Sequence, residues 1–169
     1  MKKITITTTS FGNYDDSLLG VCQENGYEVV FNPHGRKVKS DEFIYLAKDS
    51  LGIIAGTEEI TNEMLLKLTD LRVISRCGAG TDNIDLEAAE RLGIKIFNTP
   101  DAPTLAVAEL TVGLILNLLR KVSQMEKELK TGQWKKRMGN LLCKKKIGIK
   151  GFGRIGKKVA ELLKPFGCE

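Results

Sequence analysis

The sequence predicts an α/β protein built on a parallel sheet, and three observations predict it. Short apolar β-type runs alternate with helical stretches from Ile4 to Phe97, with a spacing of roughly twenty residues that suits βαβ units. Two glycine turns, Gly78-Ala79-Gly80 and Gly151-Phe152-Gly153-Arg154-Ile155-Gly156, each stand between such a run and a helical stretch. The length of 169 residues and hydrophobic share of 42% allow one domain, or one and a piece, with an ordinary core.

Taken in order, Ile4 and Ile6 mark the first strand, and Leu18, Leu19, Val21 and Cys22 the first helix. Gly26 ends that helix as a left-handed cap. Glu28 to Phe31 is the second strand, stopped by Asn32-Pro33. Phe43 to Ala47 belongs to a helix that Ser40 is placed to cap. Gly52 to Ala55 is the third strand, and Thr61 to Leu68 a helix capped by Thr61. Val73 to Ser75 is the fourth strand, followed by a glycine turn, a helix from Leu86 to Leu92, and Gly93 behind it. Ile94 to Phe97 is the fifth. Five strands with helical crossovers fit the order of a flavodoxin-like sheet. Pro103 and Thr104 start a long helix, Lys130 to Lys146 is a polar connection, and Lys146 to Ile149 reads as a further strand before a helix from Lys157 to Phe166. The expected division is 1–98 as a flavodoxin-like domain, 99–144 as an interdomain helix and arm, and 145–169 as the first βα unit of a truncated Rossmann domain.

Composition narrows the function classes. The net charge is +5, concentrated between Arg120 and Lys146, where ten Lys or Arg face two Glu. A solvated arm or helix face explains this excess. Trp134 stands alone there, without the aromatic interleaving of a nucleic-acid ladder, so no nucleic-acid partner is expected. Cys22, Cys77, Cys143 and Cys168 form no C-x-x-C pair, and His34 is the one histidine. No metal site is expected. Unpaired cysteines and an N-terminus without a hydrophobic signal core lead us to expect a cytoplasmic protein. Leu105 to Leu119 is the most apolar stretch, but Glu109 and Asn117 interrupt it. It reads as a helix buried between domains, and no membrane partner is expected.

Gly151 to Gly156 is a dinucleotide-binding fingerprint. Its first glycine permits a tight turn, its second lets a pyrophosphate approach the backbone, and its third lets helix pack on strand. The helix start then offers free amides to the phosphates. The acidic ribose anchor that normally follows about twenty positions later would fall past Glu169. The other turn, Arg76 to Asp85, lies at the carboxyl end of the fourth strand, where open α/β sheets bind ligands. Its exposed amides suit a carboxylate or phosphate oxygen. A tight strand-to-helix turn that needs glycine for its dihedrals explains it equally well.

Arg76 to Asp85, then Asn98-Thr99-Pro100, then Ala108-Glu109-Leu110-Thr111, then Gly151 to Gly156 resemble, in order and spacing, the motifs of the D-isomer-specific 2-hydroxy-acid dehydrogenases. The resemblance implies a substrate domain, an NAD- or NADP-binding Rossmann domain and a site in the cleft between them. It implies hydride transfer at C2 of a small 2-hydroxy or 2-oxo acid. It makes the backbone of Ala79 and Gly80 the clamp for the substrate carboxylate, with Ala79 also close to the nicotinamide and Asn98 at the cleft floor. It brings Thr111 to the nicotinamide side, and Gly151, Gly153, Arg154, Ile155 and Gly156 to the pyrophosphate. Gly56-Thr57-Glu58-Glu59 takes the place where some members carry Arg for a phosphate, so a phosphorylated substrate is less favoured.

The family's catalytic Arg, Glu and His would lie beyond Glu169, and His34 matches none of them, being expected at the surface. The chain is therefore expected to be the N-terminal portion of such an oxidoreductase, inactive alone. Its expected partner is a second copy or a full-length homologue, through Leu105 to Trp134. A non-catalytic interaction module, or a flavodoxin-like domain binding a small anion, are the alternatives. Lys150 stands where the family usually has an apolar strand residue, and Leu141 and Lys144 where it usually has Glu and Gly.

Overall fold

The computed structural model describes residues 2–169. They form two units, Met1–Pro100 and Asp101–Glu169.

In the first unit the elements run β1 (Lys2–Ile6), α1 (Ser17–Glu24), β2 (Tyr27–Phe31), α2 (Ser40–Ala47), β3 (Ser50–Ala55), α3 (Asn62–Leu66), β4 (Val73–Arg76), α4 (Leu86–Arg91) and β5 (Lys95–Asn98). The strands make one parallel sheet in the order β2-β1-β3-β4-β5. This is the flavodoxin-like order expected from the spacing of the apolar runs. Register is set where β-branched side chains meet, with Thr5 beside Ile53 and Ile53 beside Ile74. Ile6, Ile53 and Ile74 are fully buried, and Phe43, Ala47, Leu65, Ala88 and Ala89 of the helices close over the sheet. Each buried Ile, Leu or Phe contributes about 1.5–3 kcal/mol of transfer free energy. The central β3 is covered on both faces, whereas β2 and β5 at the edges keep exposed residues.

Helix ends follow local chemistry. Gly26 and Gly93 sit behind α1 and α4 at φ 74° and 70°, the left-handed conformation a stop requires. Thr61 caps α3, its hydroxyl accepting from the Met64 amide. That helix stops short of the expected Leu68 because its last turn tightens into i→i+3 bonds, Lys67 N–H to Met64 O and Leu68 N–H to Leu65 O. Ser40 is not a cap. It is the first residue of α2, and Lys39 holds the cap position. Glu42 accepts the Lys39 amide at 2.8 Å and both Arg36 guanidinium nitrogens at 2.9 and 2.7 Å. The Arg36 bonds, then the Lys39 amide, hold the Glu42 carboxyl down at about 2. The exposed His34 stands 3.9 Å from the same carboxylate and belongs to this loop cluster.

The second unit contains α5 (Ala102–Arg120), α6 (Val122–Lys130) and α7 (Arg154–Leu163). Ala108 and Val112 of α5, Val159 and Leu163 of α7, and Leu142 form its core. By length and composition alone α5 is apolar enough to cross a membrane. The expectation that this helix is buried is corrected: one face packs on α7, while Leu110, Leu114 and Leu118 on the other are exposed, Leu118 to 77%. A helix apolar nearly all round needs two covering surfaces, and α7 supplies one. Lys121 breaks the chain between α5 and α6 at φ 58°, and Asn117 Oδ1 caps α6 through the Ser123 amide. Arg137 bonds Glu128 of α6 and ties the arm around Trp134 to that helix.

The expected strand at Lys146 to Ile149 is not formed. The segment is extended, with Ile147 and Ile149 half-buried and Lys146, Gly148 and Lys150 exposed. It lacks the neighbours that make a strand. Its few ladder bonds go to the last residues, Ile147 N–H to Glu169 O at 2.8 Å and Glu169 N–H to Lys145 O at 2.9 Å. Lys150, which stands where the family usually has an apolar strand residue, is exposed, so its ammonium is not buried. Lys144, however, is held at φ 61°. A left-handed non-glycine residue is strained by about 1–2 kcal/mol, against about 0.5–1 kcal/mol of extra chain entropy for glycine. Lys144→Gly is therefore expected to raise the thermal midpoint of this unit slightly. A lower midpoint by circular dichroism would show that the lysine is not strained.

Candidate functional site

The first of two candidate regions is the turn after β4. Gly78 adopts φ 142°, and a Cβ there would collide with the Arg76 guanidinium folded across it. The turn is laced to the end of β5: Thr99 N–H donates to Gly78 O at 2.9 Å, Gly78 N–H to Thr99 Oγ1 at 3.1 Å, and Asn98 Nδ2 to Ala79 O at 2.7 Å. Asn98 thus supports the turn from behind. The amides of Ala79 and Gly80 have no hydrogen-bond partner among the described residues. Adjacent free N–H groups on a turn are groups able to receive an oxyanion. The Arg76 Nε is also buried without a partner, a third orphan donor in this segment.

Sequence reasoning named the loop after β3 but missed what its acid does. Glu58 is 3% exposed, a buried carboxylate at the carboxyl end of the sheet. Its Oε1 accepts from the Gly56 amide at 2.9 Å and from the Thr7 hydroxyl, and its carbonyl accepts from Asn83 Nδ2 at 2.6 Å. A cavity of about 220 Å³ lies over it, reaching the first loop and Cys77. A Gly-Thr-Glu following an apolar strand was the only available signal.

The second region is the fingerprint. Gly151 turns at φ 89°. A Cβ on Gly156 would collide with the Gly151 carbonyl, so the third glycine is required by the fold. Gly153 differs: nothing lies within 4 Å of where its Cβ would point, and its φ is an ordinary −77°. Gly153 caps α7, and the first intrahelical bond is Lys157 N–H to Gly153 O at 3.0 Å. The amides of Arg154, Ile155 and Gly156 are therefore left open at the helix start. A cavity of about 380 Å³ brings Thr111 together with Gly151, Ile155 and Gly156. Thr111 Oγ1 donates to Val107 O at 2.7 Å. The Arg154 side chain turns away to Asp101, 2.8 Å distant and well exposed, where such a pair is worth at most about 1 kcal/mol.

Residues 6–161 match the D-isomer specific 2-hydroxyacid dehydrogenase catalytic domain. The pig protein described as D-3-phosphoglycerate dehydrogenase is 39% identical over 152 residues, which are 88% of this chain and 28% of that one. Among solved structures, the TT0316 protein of Thermus thermophilus superposes with a TM-score of 0.88 at 29% identity, covering 99% of this chain and 54% of that one. The NAD+-bound 3-phosphoglycerate dehydrogenase of Entamoeba histolytica superposes with a TM-score of 0.77 at 30% identity, covering 99% and 52%. The chain spans about half the length of these structures and 28% of the pig relative. On the family match across most of its length, the chain belongs to the D-isomer specific 2-hydroxyacid dehydrogenases.

Proposed function

We propose that this chain carries the substrate-binding domain and the pyrophosphate-binding turn of an NAD-dependent oxidoreductase acting on a small 2-hydroxy or 2-oxo acid. The observation that carries the reading is the contrast among the fingerprint glycines. Gly151 and Gly156 are demanded by backbone geometry, but Gly153 answers to no contact among the described residues. Its missing side chain leaves room for something from outside, beside three open amides and a positive helix end. Those groups suit a pyrophosphate. When bound, the dinucleotide supplies the hydride donor or acceptor; the chain's own residues bind and orient. Arg154, Ile155 and Gly156 offer amides to the phosphates, Thr111 lines the same cavity, and Ala79 and Gly80 offer amides to the substrate carboxylate.

Turnover also needs a group that moves the proton of the C2 hydroxyl. His34, the one histidine, is engaged with the Arg36–Glu42 cluster. The chain alone is accordingly a binder, not a catalyst, and we place it in a reducing compartment on its four free cysteines. Titration calorimetry with NADH tests the reading. Saturable binding in the millimolar range, about −4 kcal/mol, is expected; no heat at saturating ligand would sink it.

The exposed apolar face of α5 and Trp134, 86% exposed, favour a second property, pairing with another copy or a full-length homologue. Light scattering should give twice the monomer mass, alone or with such a homologue. A monomer under both conditions would remove it.

A further inference from the structure

Asp101 occupies the position of a helix cap and does not act as one. It is the residue before α5, where a carboxylate ordinarily accepts an amide of the first turn. Its backbone is instead helical, at φ −98° and ψ −22°, and its side chain makes no capping bond. The Thr104 amide donates to the Asp101 carbonyl at 3.0 Å, and the Thr104 hydroxyl is buried without a partner among the described residues. The carboxylate goes across the unit instead, to Arg154 Nε at 2.8 Å. The two side chains are 78% and 64% exposed, so neither belongs to the core. An acid that leaves its own helix uncapped to hold a cation on another helix breaks a local rule, and such breaks gather at functional positions.

We propose that Asp101 is a latch on the pyrophosphate turn, holding the Arg154 guanidinium aside until a phosphate competes for it. The inference rests on the nucleotide reading above and deepens it, adding to the residues that bind one that opposes them. The guanidinium, the open amides of Arg154, Ile155 and Gly156 and the positive end of α7 are one cluster of donors at one helix start. Without ligand, Asp101 supplies that cluster with an internal anion. A phosphate oxygen offers the guanidinium the same charge-assisted contact, so two anions compete for one cation. The competition is mild because an exposed pair is weak. Release also has a local compensation. Thr104 stands three residues on, the spacing at which side chains of a helical turn are neighbours, and its orphan hydroxyl is a donor for the freed carboxylate. The latch therefore lowers affinity by a small factor and gives the empty turn one defined arrangement.

Inorganic pyrophosphate titrated into the full chain tests this, read by NMR on the backbone amides of residues 154–156 and on the Arg154 Nε–H. Asp101→Asn keeps the shape and removes the charge. It should move the Arg154 Nε–H signal before ligand is added and tighten binding about two- to fivefold, the reach of an exposed pair. In an Arg154→Gln background the same substitution should change affinity by less than about 1.5-fold, since its effect passes through Arg154. Asp101→Glu, which keeps the carboxylate, should bind as the wild type does. Unchanged affinity in Asp101→Asn overturns the inference. So does a tightening that persists beside Arg154→Gln, which is plain repulsion between Asp101 and the phosphate. If pyrophosphate moves the amides of residues 154–156 but not the Arg154 Nε–H, the latch falls and the nucleotide reading stands. If it moves none of them in any variant, both fall.

Discussion

Gly153→Val is expected to weaken NADH binding by the 169-residue chain at least tenfold, about 1.4 kcal/mol or more, while leaving the fold in place. The position accepts a side chain sterically: the space is empty and φ is −77°. Valine is a poorer N-cap than glycine, at about 1 kcal/mol, so the thermal midpoint should fall by about 5 °C or less. The isopropyl group, however, would occupy the approach to the open amides of Arg154, Ile155 and Gly156. Parallel calorimetry and thermal melts on the two proteins separate these effects. Equal NADH affinity would mean that the nucleotide, if bound, does not use the fingerprint.

Gly156→Ala should do the reverse, damaging the fold before any ligand is considered. The added Cβ meets the backbone carbonyl of Gly151 and the Ile149 side chain. A carbonyl cannot swing aside as a lysine tip can, so α7 must back away from the 147–151 segment. Overpacking of this kind costs about 1–3 kcal/mol. A unit of this length has roughly 3–10 kcal/mol in total. Its core is small, and Val159 and Leu163 on α7 supply much of it. Hydrogen exchange read by peptide should show protection falling across residues 101–169 and unchanged across 2–100. Uniform protection in the variant would mean that helix and turn are not in the contact described.

The architecture was legible because its signals are local. Apolar β-type runs, most of them followed closely by glycine or proline, set five strands and their order of appearance. Gly26 and Gly93 announced helix ends that no tertiary contact had to supply. What stayed hidden depends on partners distant in sequence. Glu58 looks like a loop acid until Thr7, 51 residues away, donates to it across the sheet. Asn98 stands out in sequence only as part of its own Asn-Thr-Pro motif, whereas its bond to the Ala79 carbonyl, which supports the glycine turn from behind, joins two separate motifs. Lys146 to Ile149 has the composition of a strand, and composition cannot provide the neighbour a ladder needs. Ser40 has the chemistry of a cap, yet Glu42 reaches back to the preceding residue's amide and moves the boundary by one. The outward leucines of α5 read as core because apolar character says what a side chain avoids, not whether anything covers it.

The lacing of the proposed carboxylate clamp to Asn98 and Thr99 would tie its ligand affinity to the least buried strand of the sheet. Edge elements open at low free energy, well below global unfolding. Each opening of β5 would release the Gly78 and Ala79 carbonyls and blur the spacing of the two amides beside them. Holding an acid and holding the sheet edge are thus one equilibrium seen from two sides. A ligand bound to the closed form is also a clasp on the margin of the fold, stabilising it in proportion to its own occupancy.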